Sequence, residues 1–374
     1  MRTDVIVIGA GIAGASAAAE LAKFGSVALL EREERPGYHT TGRSAAMLMA
    51  GYGETVFRIL TTLSEPFLRA PPTGFASTDL LKPRGCLYVG ADGEEELIAR
   101  SGTEMRSLRA DIEDVTPAWI AARVPIMRPE RLCGGLWDAT SAEIDVHALH
   151  EGYLRSFRRS GGTLVTNCDA ARFERKDTTW QVRAGDELFE APVVVNAAGA
   201  WADGVAAAMG AKPKGVTPYR RTAVLIDPPQ GLPIDAWPLV IHADEAYYFK
   251  PDAGKILLSP ADEMPMPPCD VQPEELDVAV AVDRFVTSTT LSVKRITHSW
   301  AGLRSFAPDR RPIAGFDPDV EGLFWLAGQG GSGIMSAPAL ARAAALLVNG
   351  KAWPAEFSAL GLEPAMLSPA RFGG

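Results

Sequence analysis

Short, unbroken apolar runs recur along the chain, each ending at glycine or another small or polar residue: Val5–Ile8, Val27–Leu30, Val193–Val195 and Leu323–Ala327. Runs without polar alternation predict strands buried on both faces of a parallel sheet. The alanine-rich stretches Ala15–Ala22 and Ala337–Val348 predict helices that follow two of these strands and pack close to them. The middle of the chain has another pattern. Thr222–Ile226, Ala246–Phe249, Ile256–Leu258 and Leu291–Val293 are alternating or β-branched and predict a mixed sheet, with Pro265–Pro268 as a surface loop.

The first strand runs into Gly9-Ala10-Gly11-Ile12-Ala13-Gly14, a GxGxxG turn opening the first helix, and the second strand ends at Glu31. That order fits a Rossmann-like dinucleotide site. Gly9 makes the turn, Gly11 lets a pyrophosphate approach the helix N-terminus, Gly14 permits close helix packing, and Glu31 accepts hydrogen bonds from a ribose diol. An acid there disfavours a 2′-phosphate. A second glycine-rich strand-to-helix junction, Gln329-Gly330-Gly331-Ser332-Gly333, lies near the other end of the chain and suits a long cofactor held at both ends.

Composition narrows the partners. The 374 residues are 47% hydrophobic with 36 Gly and 28 Pro, which describes a globular chain with many tight turns. The net charge is −9 and no basic run stands out, so nucleic acid is a poor partner. Cys86, Cys133, Cys168 and Cys269 lack metal-ligand or disulfide-framework spacing, and the five histidines lack metal spacing, so no metal is expected. No apolar stretch is long enough for a membrane span, and no cleavable leader is visible; the expectation is a complete, soluble, cytoplasmic protein.

Together with the opening motif, Thr40-Thr41-Gly42-Arg43-Ser44-Ala45-Ala46, Asn196–Trp201, Trp300-Ala301-Gly302-Leu303-Arg304 and the Gln329–Gly333 turn resemble the D-amino-acid oxidase and glycine oxidase family of flavoproteins. The resemblance spans nearly the whole chain. Lys250-Pro251-Asp252-Ala253-Gly254 and Ala365-Met366-Leu367-Ser368-Pro369 make it most similar to the bacterial D-arginine dehydrogenases within that family. It implies FAD, held non-covalently because Ser305 stands where covalent relatives carry a cysteine. The FAD contacts it implies are Gly9, Gly11, Ala13, Gly14, Glu31, Arg32, Thr40, Thr41, Gly42, Arg43, Ser44, Ala46, Met47, Ala170, Ala198, Gly199, Trp201, Gly330, Gly331, Ser332, Gly333 and Ile334. Because these contacts are scattered, the fold class becomes α/β (α+β overall) with interleaved domains. An FAD-binding domain takes residues 1–78, 144–212 and 299–374, and a mixed-sheet substrate domain takes 79–143 and 213–298.

The implied reaction is oxidative deamination of a D-amino acid: hydride leaves the α-carbon for flavin N5, and the imine hydrolyses to a 2-keto acid and ammonia. No catalytic residue is named, because the reaction depends less on a strong base than on how the substrate is held. The chemistry needs a neutral amine and a fixed carboxylate, and a guanidinium fork fits a carboxylate. The resemblance gives that grip to Arg221 and Arg304, adds the Tyr248 hydroxyl, and gives the amine a backbone carbonyl at Gly302. Strand alternation sends Arg220 and Tyr247 to the opposite face, with Arg220 read as a solvated surface side chain. Tyr52, between Gly51 and Gly53, is read as a lid.

Four positions depart from the D-arginine dehydrogenases. Cys86 stands where an acid would face the substrate guanidinium, and Met47, Met49 and Met335 replace polar pocket residues. A thiol cannot neutralise a buried cation. The expected substrates are therefore neutral, hydrophobic D-amino acids, with electrons passing to a quinone, a dye or oxygen. Two other readings stand beside this one: a glycine- or sarcosine-type secondary-amine oxidase, and a non-catalytic flavin-binding subunit.

Overall fold

The computed structural model describes residues 1–109 and 111–373. The apolar runs assemble into a six-stranded sheet in the order Ile313–Phe316, Leu323–Ala327, Val193–Asn196, Val5–Ile8, Val27–Leu30 and Thr163–Val165. Every pairing is parallel except that of the outermost strand Ile313–Phe316. Both faces are covered, which is why these strands are apolar at nearly every position. Helices Ile12–Leu21, Val146–Arg159 and Gly333–Val348 form a layer on one face. A three-stranded antiparallel sheet spanning Arg172–Ala191 and helix Ala202–Ala208 cover the other.

Small residues set the helix spacing. A Cβ on Gly14 would lie 1.8 Å from the carbonyl oxygen of Gly9, so only glycine lets the first helix start this close to its strand. The last helix starts at Gly333, four residues before the alanine-rich run that predicted it.

A second, nine-stranded sheet gathers Cys86–Ala91, Leu132–Asp138, Thr217–Ile226, Leu239–His242, Tyr248–Asp252, Lys255–Ser259 and Ile296–Phe306 with two short edge strands, Glu113–Val115 and Met264–Pro265. Strand Ile296–Phe306 runs across residue 299, where the sequence reading placed a domain boundary, and it pairs with Thr217–Ile226 along its length. Two details of that reading change. Leu291–Val293 is coil, because it leads out of helix Glu275–Ser288 and meets no strand edge. Pro265 belongs to an edge strand that pairs Tyr219 with Pro265, a position where a missing N–H is tolerated.

Candidate active site

The pleat of the nine-stranded sheet decides which side chains reach the first domain. Arg221 pairs with Gly302 and Tyr219 with Arg304 across adjacent antiparallel strands, so Arg221, Gly302 and Arg304 share one face. Carried through the neighbouring registers, that face also presents Tyr248, Ile241, Tyr88 and Cys86. The opposite face lies under helix Glu275–Ser288. Tyr247 points there, as alternation predicts, and so does Arg220. Arg220 is not solvated, however: it is 2% exposed and paired with Glu274, Asp277 and Asp262, because the helix covers that face with acids.

Between the two sheets lies a cavity of about 410 Å³ that runs from the Gly9–Ala13 turn to the Gly330–Ile334 turn. Of the expected cofactor contacts, Gly9, Gly11, Ala13, Glu31, Arg32, Thr40, Thr41, Arg43, Ser44, Ala170, Ala198, Gly199, Trp201, Gly330, Gly331, Gly333 and Ile334 line it. Gly14, Gly42, Ala46, Met47 and Ser332 do not. Gly14 serves packing, Gly42 donates its N–H to the Gly37 carbonyl, and Ala46 faces a separate cavity. Residues with weaker sequence signals also line it, including His39, Cys168 and Gln329. Burial, with Glu187 and Asp169 nearby, pushes the Cys168 thiol up to about 11. Only proximity to the expected contacts could have marked these residues beforehand.

Glu31 is prepared for a diol. Its oxygens accept from the backbone N–H groups of Ala10 at 2.7 Å and Glu33 at 3.0 Å, which fix the carboxylate at the end of its strand. Thr41 Oγ1 accepts from Ile12 N at 2.9 Å, tying the Thr40–Ser44 segment to the first helix. Arg32 stacks 4.0 Å from the Trp201 ring centroid.

At the other end, Arg221, Tyr248, Gly302 and Arg304 line the same cavity. Arg221 donates from Nε to the Asp262 carbonyl at 2.8 Å and from Nη2 to Glu263 at 3.1 Å. Burial first, and then the neighbouring Arg304, push its pKa down. Arg304 is also desolvated, but Tyr52, Tyr248 and Glu245 outweigh the burial and its pKa rises. Arg304 forms no ion pair among the described residues. A Cβ on Gly331 would come within 2.9 Å of Arg304 Nη1, so the glycine turn makes room for the guanidinium.

Tyr52 packs beside this pair and donates its hydroxyl to Glu245 Oε2 at 2.7 Å. Burial, reinforced by the Glu245 charge, raises the Tyr52 pKa. Glu245 sits at a hairpin tip with φ +63°, a left-handed backbone that turns its side chain toward Tyr52. Nothing in the apolar pattern singled it out.

Met47, Met49, Cys86 and Met335 are not on the cavity wall. They are at most 7% exposed and belong to one apolar cluster, against which Tyr52 and Tyr248 pack. Tyr248 lines the cavity, whereas Tyr52, like these four, is off its wall.

The DAO family profile, described as FAD dependent oxidoreductase, matches residues 4–347. The chain belongs to that family. Across 100% of this chain and 85% of its own length, the bovine (Bos taurus) FAD-dependent oxidoreductase domain-containing protein 1 is 25% identical to it. The crystal structure of L-proline dehydrogenase from P. horikoshii superposes with a TM-score of 0.85 at 22% identity, covering 99% of this chain and 98% of the other. That of glycine oxidase from Geobacillus kaustophilus gives 0.83 at 21% identity, covering 97% and 98%. These comparisons establish the DAO family and its fold; the closeness to D-arginine dehydrogenases remains an expectation from sequence.

FAD is the cofactor of this DAO family member, and its own residues suit the group. Glu31 meets the ribose end, the glycine turns leave space for close approach, and buried Gln329 Nε2 beside the cavity has no protein partner among the described residues.

Proposed function

We propose that this DAO family protein oxidises the α-amino group of neutral, hydrophobic D-amino acids and releases the 2-keto acid and ammonia. The carrying observation is that Arg221 and Arg304 line the cofactor cavity from one sheet face, with Arg304 forming no ion pair among the described residues. Two desolvated guanidiniums favour a ligand that brings a carboxylate. Bound FAD supplies the hydride acceptor.

The remaining work falls to the protein. Arg221 and Arg304 fix the carboxylate, Tyr248 adds a hydroxyl donor, and the Gly302 carbonyl receives an amine N–H. Tyr52 closes over the bound substrate and excludes water. In this reading FAD is held without a covalent bond at Ser305, and the substrate sits between interleaved cofactor and substrate domains.

The side-chain preference is supported by the cluster of Met47, Met49, Cys86 and Met335, against which the tyrosines pack. Two acids near this cluster already have partners. Asp138, beside Cys86, accepts from Thr140 and Ser141, and Glu245 accepts from Tyr52. The D configuration rests on the resemblance carried by residues 250–254 and 365–369.

A secondary-amine substrate is the competing reading, since the structural neighbours include a glycine oxidase and an L-proline dehydrogenase. Comparing kcat/KM for D-Met, D-Leu and D-Phe with D-Arg, sarcosine and L-Pro tests the proposal. The expected order puts the neutral D-amino acids first; a clear lead for D-Arg, sarcosine or L-Pro contradicts it.

A further inference from the structure

His242 lies outside the cavity, at the end of strand Leu239–His242, where the hairpin carrying Glu245 begins. The ring is nearly buried, and each nitrogen meets a carboxylate. Nδ1 lies 2.5 Å from Asp244 Oδ1, and Nε2 lies 3.0 Å from Glu94 Oε2. Both oxygens are already anchored: Asp244 Oδ1 accepts from Ala246 N at 2.8 Å, and Glu94 Oε2 accepts from Ala91 N at 2.8 Å. The imidazole ring thus ties the hairpin to the loop before helix Glu95–Arg106, beside the backbone bond from Ala243 N to the Val89 carbonyl. Its backbone closes with Glu245 N donating to the His242 carbonyl and His242 N donating to the Tyr247 carbonyl.

We infer that His242 is a positioning residue whose ring, set between Asp244 and Glu94, holds the Glu245 hairpin in place, so that Glu245 can hold Tyr52 over the substrate. The inference rests on the lid role proposed for Tyr52. A neutral imidazole has one N–H and one lone pair. Against two carboxylates, that lone pair faces an anionic oxygen and repels it, whereas the imidazolium donates to one and attracts the other. The other charged or titratable groups facing the ring are Tyr247, whose ring centroid is 5.5 Å away, and Arg284 of helix Glu275–Ser288, which binds the Ala246 carbonyl at the far end of the turn. Arg284 grips backbone whatever the charge of His242. The His242 ring is therefore the side-chain link between the turn and Glu94.

Hydrogen exchange of the FAD-bound protein reads residues 242–247 and 49–53 separately without needing a substrate. Protection of both segments is expected to fall about tenfold in His242→Gln, the effect of losing one charge-assisted contact. Glu94→Gln, which keeps an acceptor but removes one of the two anions, should loosen residues 242–247 by less. Protection of residues 242–247 that is unchanged in His242→Gln overturns the clamp. Loosening of 242–247 with no change at 49–53 overturns its coupling to the lid while leaving the hairpin clamp standing.

Discussion

Glu263 divides its carboxylate between Arg221, whose Nη2 is 3.1 Å away, and Arg310, whose Nη2 lies 2.9 Å from both of its oxygens. With the Asp262 carbonyl on Nε, this leaves Nη1 of Arg221 as the nitrogen without a hydrogen-bond partner among the described residues. In the proposed carboxylate grip, Glu263 aims Arg221. Glu263→Ala should raise KM for the amino acid about tenfold with little change in kcat, and Glu263→Gln, which keeps an acceptor, should do less. Steady-state kinetics on the two variants decide this; a fall in kcat alone would place Glu263 elsewhere in the mechanism.

Tyr52→Phe removes the hydroxyl that Glu245 accepts and leaves the ring in place. The closed lid should lose about 1 kcal/mol, so KM should rise about fivefold while FAD affinity stays unchanged. Substrate titration and flavin release on dilution measure the two quantities separately.

Cys86→Glu places an acid on the sheet face shared with Tyr248 and Arg221. The ratio of kcat/KM for D-Arg to that for D-Leu should rise about tenfold or more, since a paired cation and anion avoid the cost of burying either alone. The same burial should lower Tm without substrate. An unchanged ratio would remove Cys86 from specificity.

Much of the fold was legible in advance because buried parallel strands have a plain signature: Val5–Ile8, Val27–Leu30, Val193–Asn196 and Leu323–Ala327 are apolar at nearly every position and became the sheet interior. Arg221 and Arg304 were legible only through resemblance, since strand arginines look alike until a register pairs them across Gly302. Arg220 was misread because its partners, Glu274 and Asp277, arrive from a helix more than fifty residues later. Glu245 was missed for a similar reason: its importance lies in a positive φ and in a tyrosine 193 positions away. The methionines were legible as apolar, but their burial in the cluster against which Tyr52 and Tyr248 pack, off the cavity wall, depends on contacts between distant segments.

Acid stability has a local source in Asp317. Its carboxylate accepts from Trp325 Nε1 at 2.9 Å and from the N–H groups of Asp319 and Val320, and it lies 3.1 Å from Lys214 Nζ. Burial alone would raise its pKa, but these donors outweigh it and hold the carboxyl below the ordinary value. A depressed folded-state pKa gives stability that is present above the unfolded-state value and lost as pH falls through the folded one. Asp317→Asn should therefore destabilise the protein by about 3 kcal/mol at neutral pH, with the difference shrinking below pH ~4. Denaturant melts at pH 7 and pH 3 compare the two.

The central claim is that a D-amino acid, held by its carboxylate on Arg221 and Arg304, reduces the bound flavin. Anaerobic mixing of the purified FAD-bound protein with single D- and L-amino acids, followed by the flavin absorbance near 450 nm, tests it most directly. Rapid bleaching with D-Met, D-Leu or D-Phe, lost in Arg304→Ala although FAD is retained, is the expected result. Flavin that stays oxidised with every D-amino acid, or that bleaches only with the L enantiomers, would contradict it.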